Sequence, residues 1–175
     1  MCKNPDCEVL YMRLFIAIGL SDEIRKTLVK TQDYLLRHGV RGRYTAAENL
    51  HMTLAFIGEM PDPDPVLDVL EGFSFAPFDI ALQDAGIFNG GILWAGIRPS
   101  DPLERMVKRL RRALAEAEIP FDRQGFRPHI TLVRDMRTEK GLPEIHIPGS
   151  AMTVDHITLF RSDRGKNGMI YTEIG

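Results

Sequence analysis

Two histidines set the first question. His51 begins the run HMTL at 51–54, and His129 begins HITL at 129–132. A third copy of the pattern, HITL at 156–159, starts at His156. Each places a threonine two residues after its histidine: Thr53, Thr131 and Thr158. On a β-strand, side chains alternate between faces, so the His and Thr of His-x-Thr share one face. Met52 and Leu54, or Ile130 and Leu132, then point the other way and anchor the strand on a core. Two such strands lining one cleft would present two imidazoles and two hydroxyls. Histidine titrates near neutral pH, so one ring can accept a proton while the other donates one. Threonine hydroxyls can hold the non-bridging oxygens of a phosphate and position it. This set suits phosphoryl transfer by acid–base catalysis with no metal. Arginines near the second motif could add bidentate phosphate contacts. Arg127 and Arg134 flank it. Strict alternation predicts Arg127 on the His129 face and Arg134 on the opposite one, so Arg127 is the simpler geometric choice. A three-histidine metal site is the competing reading. The spacing lacks the carboxylate or cysteine support that such a site normally has.

The elements that must carry these residues can be read from the chain. Arg13–Ile18 is a short apolar strand. Ser21 caps a helix with Asp22 and Glu23 in its first turn, and Ile24, Leu28, Thr31 and Leu35 follow at helical spacing. Gly39 is the stop. A polar loop leads to the strand of the first motif. Pro61, Pro63 and Pro65 precede a short helix at about 66–72, and 77–88 alternates as a strand. Asn89-Gly90-Gly91 signals a hairpin. The order then repeats: strand 92–97, a helix from Asp101-Pro102-Leu103-Glu104 with Asp101 as N-cap, and the strand of the second motif. Leu103, Met106, Val107, Leu110 and Leu114 form that helix's apolar stripe. The stretch VDHITLFRSD at 154–163 reads as one more strand, then a turn at 165–168 and a last strand.

Phe15 precedes His51 by 36 positions, and Trp94 precedes His129 by 35. That near-equality makes His51 and His129 partners in an internal repeat. Going on by 27 positions reaches Phe78 in one half and His156 in the other. His156 therefore matches a strand with no histidine, which sets it apart from the pair.

Composition bounds the rest. The chain has 175 residues, 44% of them hydrophobic, with a formal net charge of −2. This supports one domain with a sizeable core and argues against a broad nucleic-acid-coating surface. The two cysteines, Cys2 and Cys7, lie in the first few residues and cannot staple the main body, which points to a reducing, cytoplasmic setting. No apolar run approaches the roughly 18 residues of a membrane helix. Residues 1–11 read as an N-terminal extension, with Met12 an alternative start.

The motif segments MRLFIAI, ENLHMTLAFIGE, ILWAGI, FRPHITLVRD and LFRSDRGKNGMIYTEI resemble those of the two-histidine (2H) phosphoesterases, in particular the RNA 2′,3′-cyclic phosphodiesterases, also called 2′-5′ RNA ligases. The resemblance runs from Met12 to the C-terminus. It implies an α+β fold, bilobal and pseudo-two-fold, with two antiparallel sheets facing a central cleft and helices outside. Residues 12–175 would form one such domain from two intertwined repeats, about 13–88 and 92–173. The family chemistry implies His51 as proton donor, His129 as proton acceptor, and Thr53 and Thr131 as phosphate ligands. Tyr44 stands near the place of a family aromatic, and with Arg127 and Arg134 it is a candidate substrate contact. The implied partners are RNA ends or nucleotides bearing a 2′,3′-cyclic phosphate, bound by a monomer away from membranes with no cofactor or metal. ATP-independent 2′-5′ ligation would use the same groups in reverse. Small cyclic nucleotides or 2′-5′ oligoadenylates as substrates, and a non-catalytic RNA- or nucleotide-binding module, remain the alternatives.

Overall fold

The computed structural model describes residues 10–175. Cys2, Cys7 and most of the expected extension lie outside these residues. The first apolar run forms strand β1 (Met12–Gly19). Helix α1 (Asp22–Arg37) follows, and the Ser21 hydroxyl accepts from the Ile24 amide as the expected N-cap. The loop expected before the first motif contains a strand, β2 (Val40–Tyr44). Its sequence, VRGRY, has a single buried residue, Val40, so no apolar alternation signals it. Strand β3 (His51–Met60) carries the first motif, and α2 (Asp64–Glu71) and β4 (Phe78–Phe88) follow. A turn with Gly90 and Gly91 at positive φ leads to β5 (Ile92–Ile97).

Helix α3 (Asp101–Glu116) buries Leu103, Met106, Val107, Leu110 and Leu114, as its stripe predicts. Its N-cap is Ser100 rather than Asp101: the Ser100 hydroxyl accepts from the Leu103 amide. Asp101 and Pro102 therefore both sit inside the first turn, where an acid suits the dipole and proline loses nothing. Strand β6 (His129–Thr138) carries the second motif. The stretch at 154–163 is not one strand. It breaks into β7 (Ala151–Val154) and β8 (Thr158–Gly165), with His156 in the connection, and β9 (Gly168–Glu173) ends the fold.

The strands form two antiparallel sheets, ordered β3-β1-β8-β9 and β2-β6-β5-β4-β7. The break at His156 has a topological cause: β7 pairs with β4 in one sheet and β8 with β1 in the other. The chain crosses between sheets where the sequence reads as continuous alternation. The halves are also exchanged. β4, from the first half, joins the sheet of the second motif, while β8, from the second half, joins that of the first. α1 packs on β2 and β6, so it too serves the second motif's sheet. Met52, Leu54, Ile130 and Leu132 are fully buried, as the alternation of each motif requires.

Candidate active site

Each motif histidine is fixed in the same way. His51 donates from Nδ1 to the Asn49 carbonyl at 2.6 Å, and His129 from Nδ1 to the Arg127 carbonyl at 2.7 Å. A carbonyl oxygen only accepts, so Nδ1 carries the hydrogen and Nε2 is the unprotonated nitrogen of each neutral ring. The Thr53 hydroxyl lies 2.9 Å from His51 Nε2, donating to it when the ring is neutral. Aromatic rings wall in each imidazole. Phe15 and Tyr171 flank His51 at 4.9 and 5.2 Å between ring centroids. Phe88 and Trp94 flank His129 at 4.9 and 6.4 Å.

Both rings are held below the ordinary imidazole pKa. Burial is the main cause in each case. The backbone bonds oppose it, while the Arg134 guanidinium lowers both, and His51 is lowered further by a charge on His129. Thr53 of the first motif and His129 of the second line one cavity, so the two motifs face a common cleft.

The position of Arg134 corrects the expectation from alternation. In the pairing of β5 with β6, Leu93 meets Val133 and Trp94 meets Thr131, so the register skips Leu132. Leu132 and Val133 are both buried as a result. Such a bulge adds one residue and turns later side chains to the other face. Arg134 is thereby brought to the face of His129 and Thr131. The same device follows the first motif: Ile16 meets Ala55, Ala17 meets Thr53, and Leu54 is skipped. Phe56 is thus the counterpart of Arg134, and one arginine serves a site that is otherwise two-fold.

Two cavities open from the cleft. One, about 690 Å³, is lined by Thr53, Phe56, Phe88, Arg111, Phe126 and Arg127 beside His129. The other, about 710 Å³, is lined by Arg43, Tyr44, Arg134, Arg164, Lys166 and Tyr171. Arg127 lies in the loop ahead of β6, not in the strand, yet it lines the first cavity and its carbonyl orients His129. Tyr44 faces the second cavity while its hydroxyl donates to the Val40 carbonyl at 2.9 Å, and burial raises its pKa. Thr131 pairs with Trp94 on β5, next to His129. His156 stands apart, with a side chain 76% exposed and Nδ1 donating to the Asp155 carboxylate at 2.6 Å. Sequence reasoning missed Phe56, Phe88, Arg111 and Tyr171. Phe56 alone had a signal, as it occupies the place in the first motif that Arg134 occupies in the second.

Comparison with known proteins shows the family and the fold. The profile of the 2′-5′ RNA ligase superfamily matches residues 21–166. The RNA 2′,3′-cyclic phosphodiesterase of Escherichia coli strain K12 is 33% identical over 168 residues, covering 93% of each chain. That of Thermotoga maritima is 28% identical over 173 residues, covering 91% of each. Among solved structures, E. coli LigT complexed with 3′-AMP superposes with a TM-score of 0.80 at 28% identity, covering 95% of this chain and 97% of that one. LigT complexed with phosphate gives 0.75 at 31%, covering 94% and 95%. The chain belongs to the 2′-5′ RNA ligase superfamily of two-histidine phosphoesterases.

Proposed function

We propose that this chain is an RNA 2′,3′-cyclic phosphodiesterase that opens a terminal cyclic phosphate to a 2′-phosphate. The observation that carries the reading is the matched pair of imidazoles, each with Nδ1 tied to a carbonyl and Nε2 left for the cleft, that of His51 beside the Thr53 hydroxyl. Relatives that align over nearly the whole chain bear that name.

The chemistry follows from the asymmetry around phosphorus. His129 Nε2 takes a proton from water as its oxygen bonds to phosphorus. The bond to O3′ breaks on the opposite side, and His51 Nε2 gives O3′ its proton. One proton is accepted and one donated, so the step balances without a metal. Thr53, Thr131 and Arg134 hold the non-bridging oxygens, whose charge builds during attack. His51 must be protonated to act, yet burial and Arg134 hold its pKa down in the free protein. A bound phosphate anion supplies the opposite charge and raises it, so substrate binding itself charges the acid. A 5′-hydroxyl in place of water would give ATP-independent 2′-5′ joining by the same route.

The cavity with Arg43, Arg134, Arg164 and Lys166 beside Tyr44 and Tyr171 favours an oligonucleotide end over a small cyclic nucleotide. Backbone phosphates suit the cations, and bases suit the rings. Position of the cysteines near the N-terminus supports a cytoplasmic setting.

The test is turnover of an RNA oligonucleotide ending in a 2′,3′-cyclic phosphate, with a chelator present and the product's phosphate position determined. A 2′-phosphate product that forms undiminished is expected. A 3′-phosphate product would mean that O2′ leaves in place of O3′ and would overturn the assigned bond cleavage, and binding without turnover would favour a non-catalytic module. Combined Arg164→Ala and Lys166→Ala changes are expected to raise KM for the oligonucleotide more than for a mononucleotide, with an effect that shrinks as salt rises.

A further inference from the structure

The bulges that turn Phe56 and Arg134 into the cleft need something to hold them. A bulge leaves its extra residue outside the regular ladder. Those residues are Leu54 and Leu132, each directly after the motif threonine. Both carbonyls receive a long side chain from a helix. Gln32 of α1 donates from Nε2 to the Leu132 carbonyl at 3.0 Å and to the Thr45 carbonyl at 2.8 Å. Arg111 of α3 donates from Nε to the Leu54 carbonyl at 3.1 Å and from a terminal nitrogen to the Gln124 carbonyl at 2.7 Å.

The two sets correspond position for position. Arg111 follows Gln32 by 79 residues, and Gln124 follows Thr45 by the same 79, the offset that also relates Trp94 to Phe15. The connections are crossed. Gln32 and Thr45 precede the first motif but hold the strand of the second. Arg111 and Gln124 belong to the second half but hold the strand of the first. Gln32 is buried, only 7% exposed, on the face of α1 that also buries Ile24, Leu28, Thr31 and Leu35. An amide is an expensive residue at such a place unless its hydrogen bonds are specific. Its two bonds meet that requirement, and the Thr45 amide adds a third contact by donating to the Leu132 carbonyl at 2.9 Å. Arg111 also lies over the Phe126 ring at 5.6 Å and so steadies the loop that lines the His129 cavity.

We propose that Gln32 and Arg111 are paired positioning residues, each clamping the bulge behind the other half's His-x-Thr motif and so aiming Arg134 and Phe56 into the cleft. Neither touches the reacting atoms through these bonds. The consequence for turnover rests on the diesterase reading, whereas the consequence for the histidines does not.

The test follows the His51 and His129 ring titrations by NMR alongside kinetics. Gln32→Met removes the donor and keeps the shape. It is expected to release Arg134 and raise both histidine midpoints, as Arg134→Met does. The combined variant is expected to shift them no further than Arg134→Met alone. Arg111→Met is expected to move the backbone amide signals of residues 53–56 and to lower kcat on the order of 10- to 100-fold. Arg111→Lys, which retains a donor for one carbonyl, is expected to recover part of that loss. Unchanged titrations in folded Gln32→Met, or shifts that sum in the combined variant, would overturn the clamp on the second motif. Wild-type kcat and unmoved amide signals in Arg111→Met would overturn it on the first. Arg111 is half-buried and its variants should fold, so if Gln32→Met does not fold the proposal stands or falls on that arm. A protein inactive on cyclic phosphates would still give the titration result, which separates failure of the clamp from failure of the functional reading.

Discussion

Arg134 is the residue on which the two halves of the site differ. Its counterpart Phe56 carries no charge, yet both face the cleft through equivalent bulges. Its guanidinium lowers both histidines after burial has already done so. The sign is direct: a depressed imidazole pKa moves the bell of kcat/KM toward acid, since that bell reports the free enzyme's acid and base. Its optimum is expected on the acid side of the ordinary histidine value of about 6.5. The two limbs belong to the pair rather than to either ring alone. Arg134→Met is expected to move both limbs to higher pH, with a loss of rate from the missing phosphate contact. A profile that stays in place would show that Arg134 does not act on the histidines. The placement of His51 with Thr53 and of His129 with Thr131 on two matching strands was legible from type, spacing and repeat. Arg134 was visible but assigned to the wrong face, because alternation assumes one residue per step and a bulge breaks that rule without any mark in the sequence. Gln32 was not legible at all: a glutamine in an amphipathic helix reads as surface, and only its distant carbonyl partners show otherwise.

At the scale of elements, the strands carrying the motifs work because their opposite faces are anchored. Leu132 and Leu54 are fully buried, and either one changed to Ala is expected to lower stability by about 2–5 kcal/mol. Denaturant midpoints would measure it. Gly86 on β4 is a sharper case. A Cβ there would lie 2.1 Å from the Trp94 ring, which is in contact with both Phe88 and His129. Gly86→Ala is therefore expected to displace the indole and disturb His129. Trp94 is the only tryptophan, so its fluorescence reports the change directly. An emission spectrum identical to wild type would count against this packing. Most elements were legible, because α1, α3 and the apolar strands satisfy their own periodicities. β2 was hidden, since it is an edge strand with one buried residue. The break between β7 and β8 was hidden for another reason. Asp155, His156 and Ile157 continue the polar and apolar pattern of a strand into Thr158 of β8, while the chain passes from one sheet to the other.

Across the whole molecule, the repeat is visible in the sequence but the exchange is not. Spacing shows that two halves match; it does not show which sheet each strand joins. Here β4 and β8 trade places, and α1 packs on the sheet of the second motif. Neither half then holds a complete sheet. Unfolding is expected to be a single cooperative transition, with fluorescence and far-ultraviolet circular dichroism coinciding. A fragment ending at the turn after β4 is expected to lack stable tertiary structure, and two separated transitions would contradict the exchange. The same topology puts one histidine on each sheet and makes their approach a property of the complete fold.

The most direct test compares three single substitutions, His51→Ala, His129→Ala and His156→Ala, on one RNA ending in a 2′,3′-cyclic phosphate. The first two are expected to lower kcat by about 10²- to 10⁴-fold, the range of a lost general acid or base. His156→Ala, altered at an exposed residue in the β7–β8 connection, is expected to keep at least about a tenth of the wild-type rate. Undiminished turnover in His51→Ala or His129→Ala, or a collapse confined to His156→Ala, would contradict the two-histidine site.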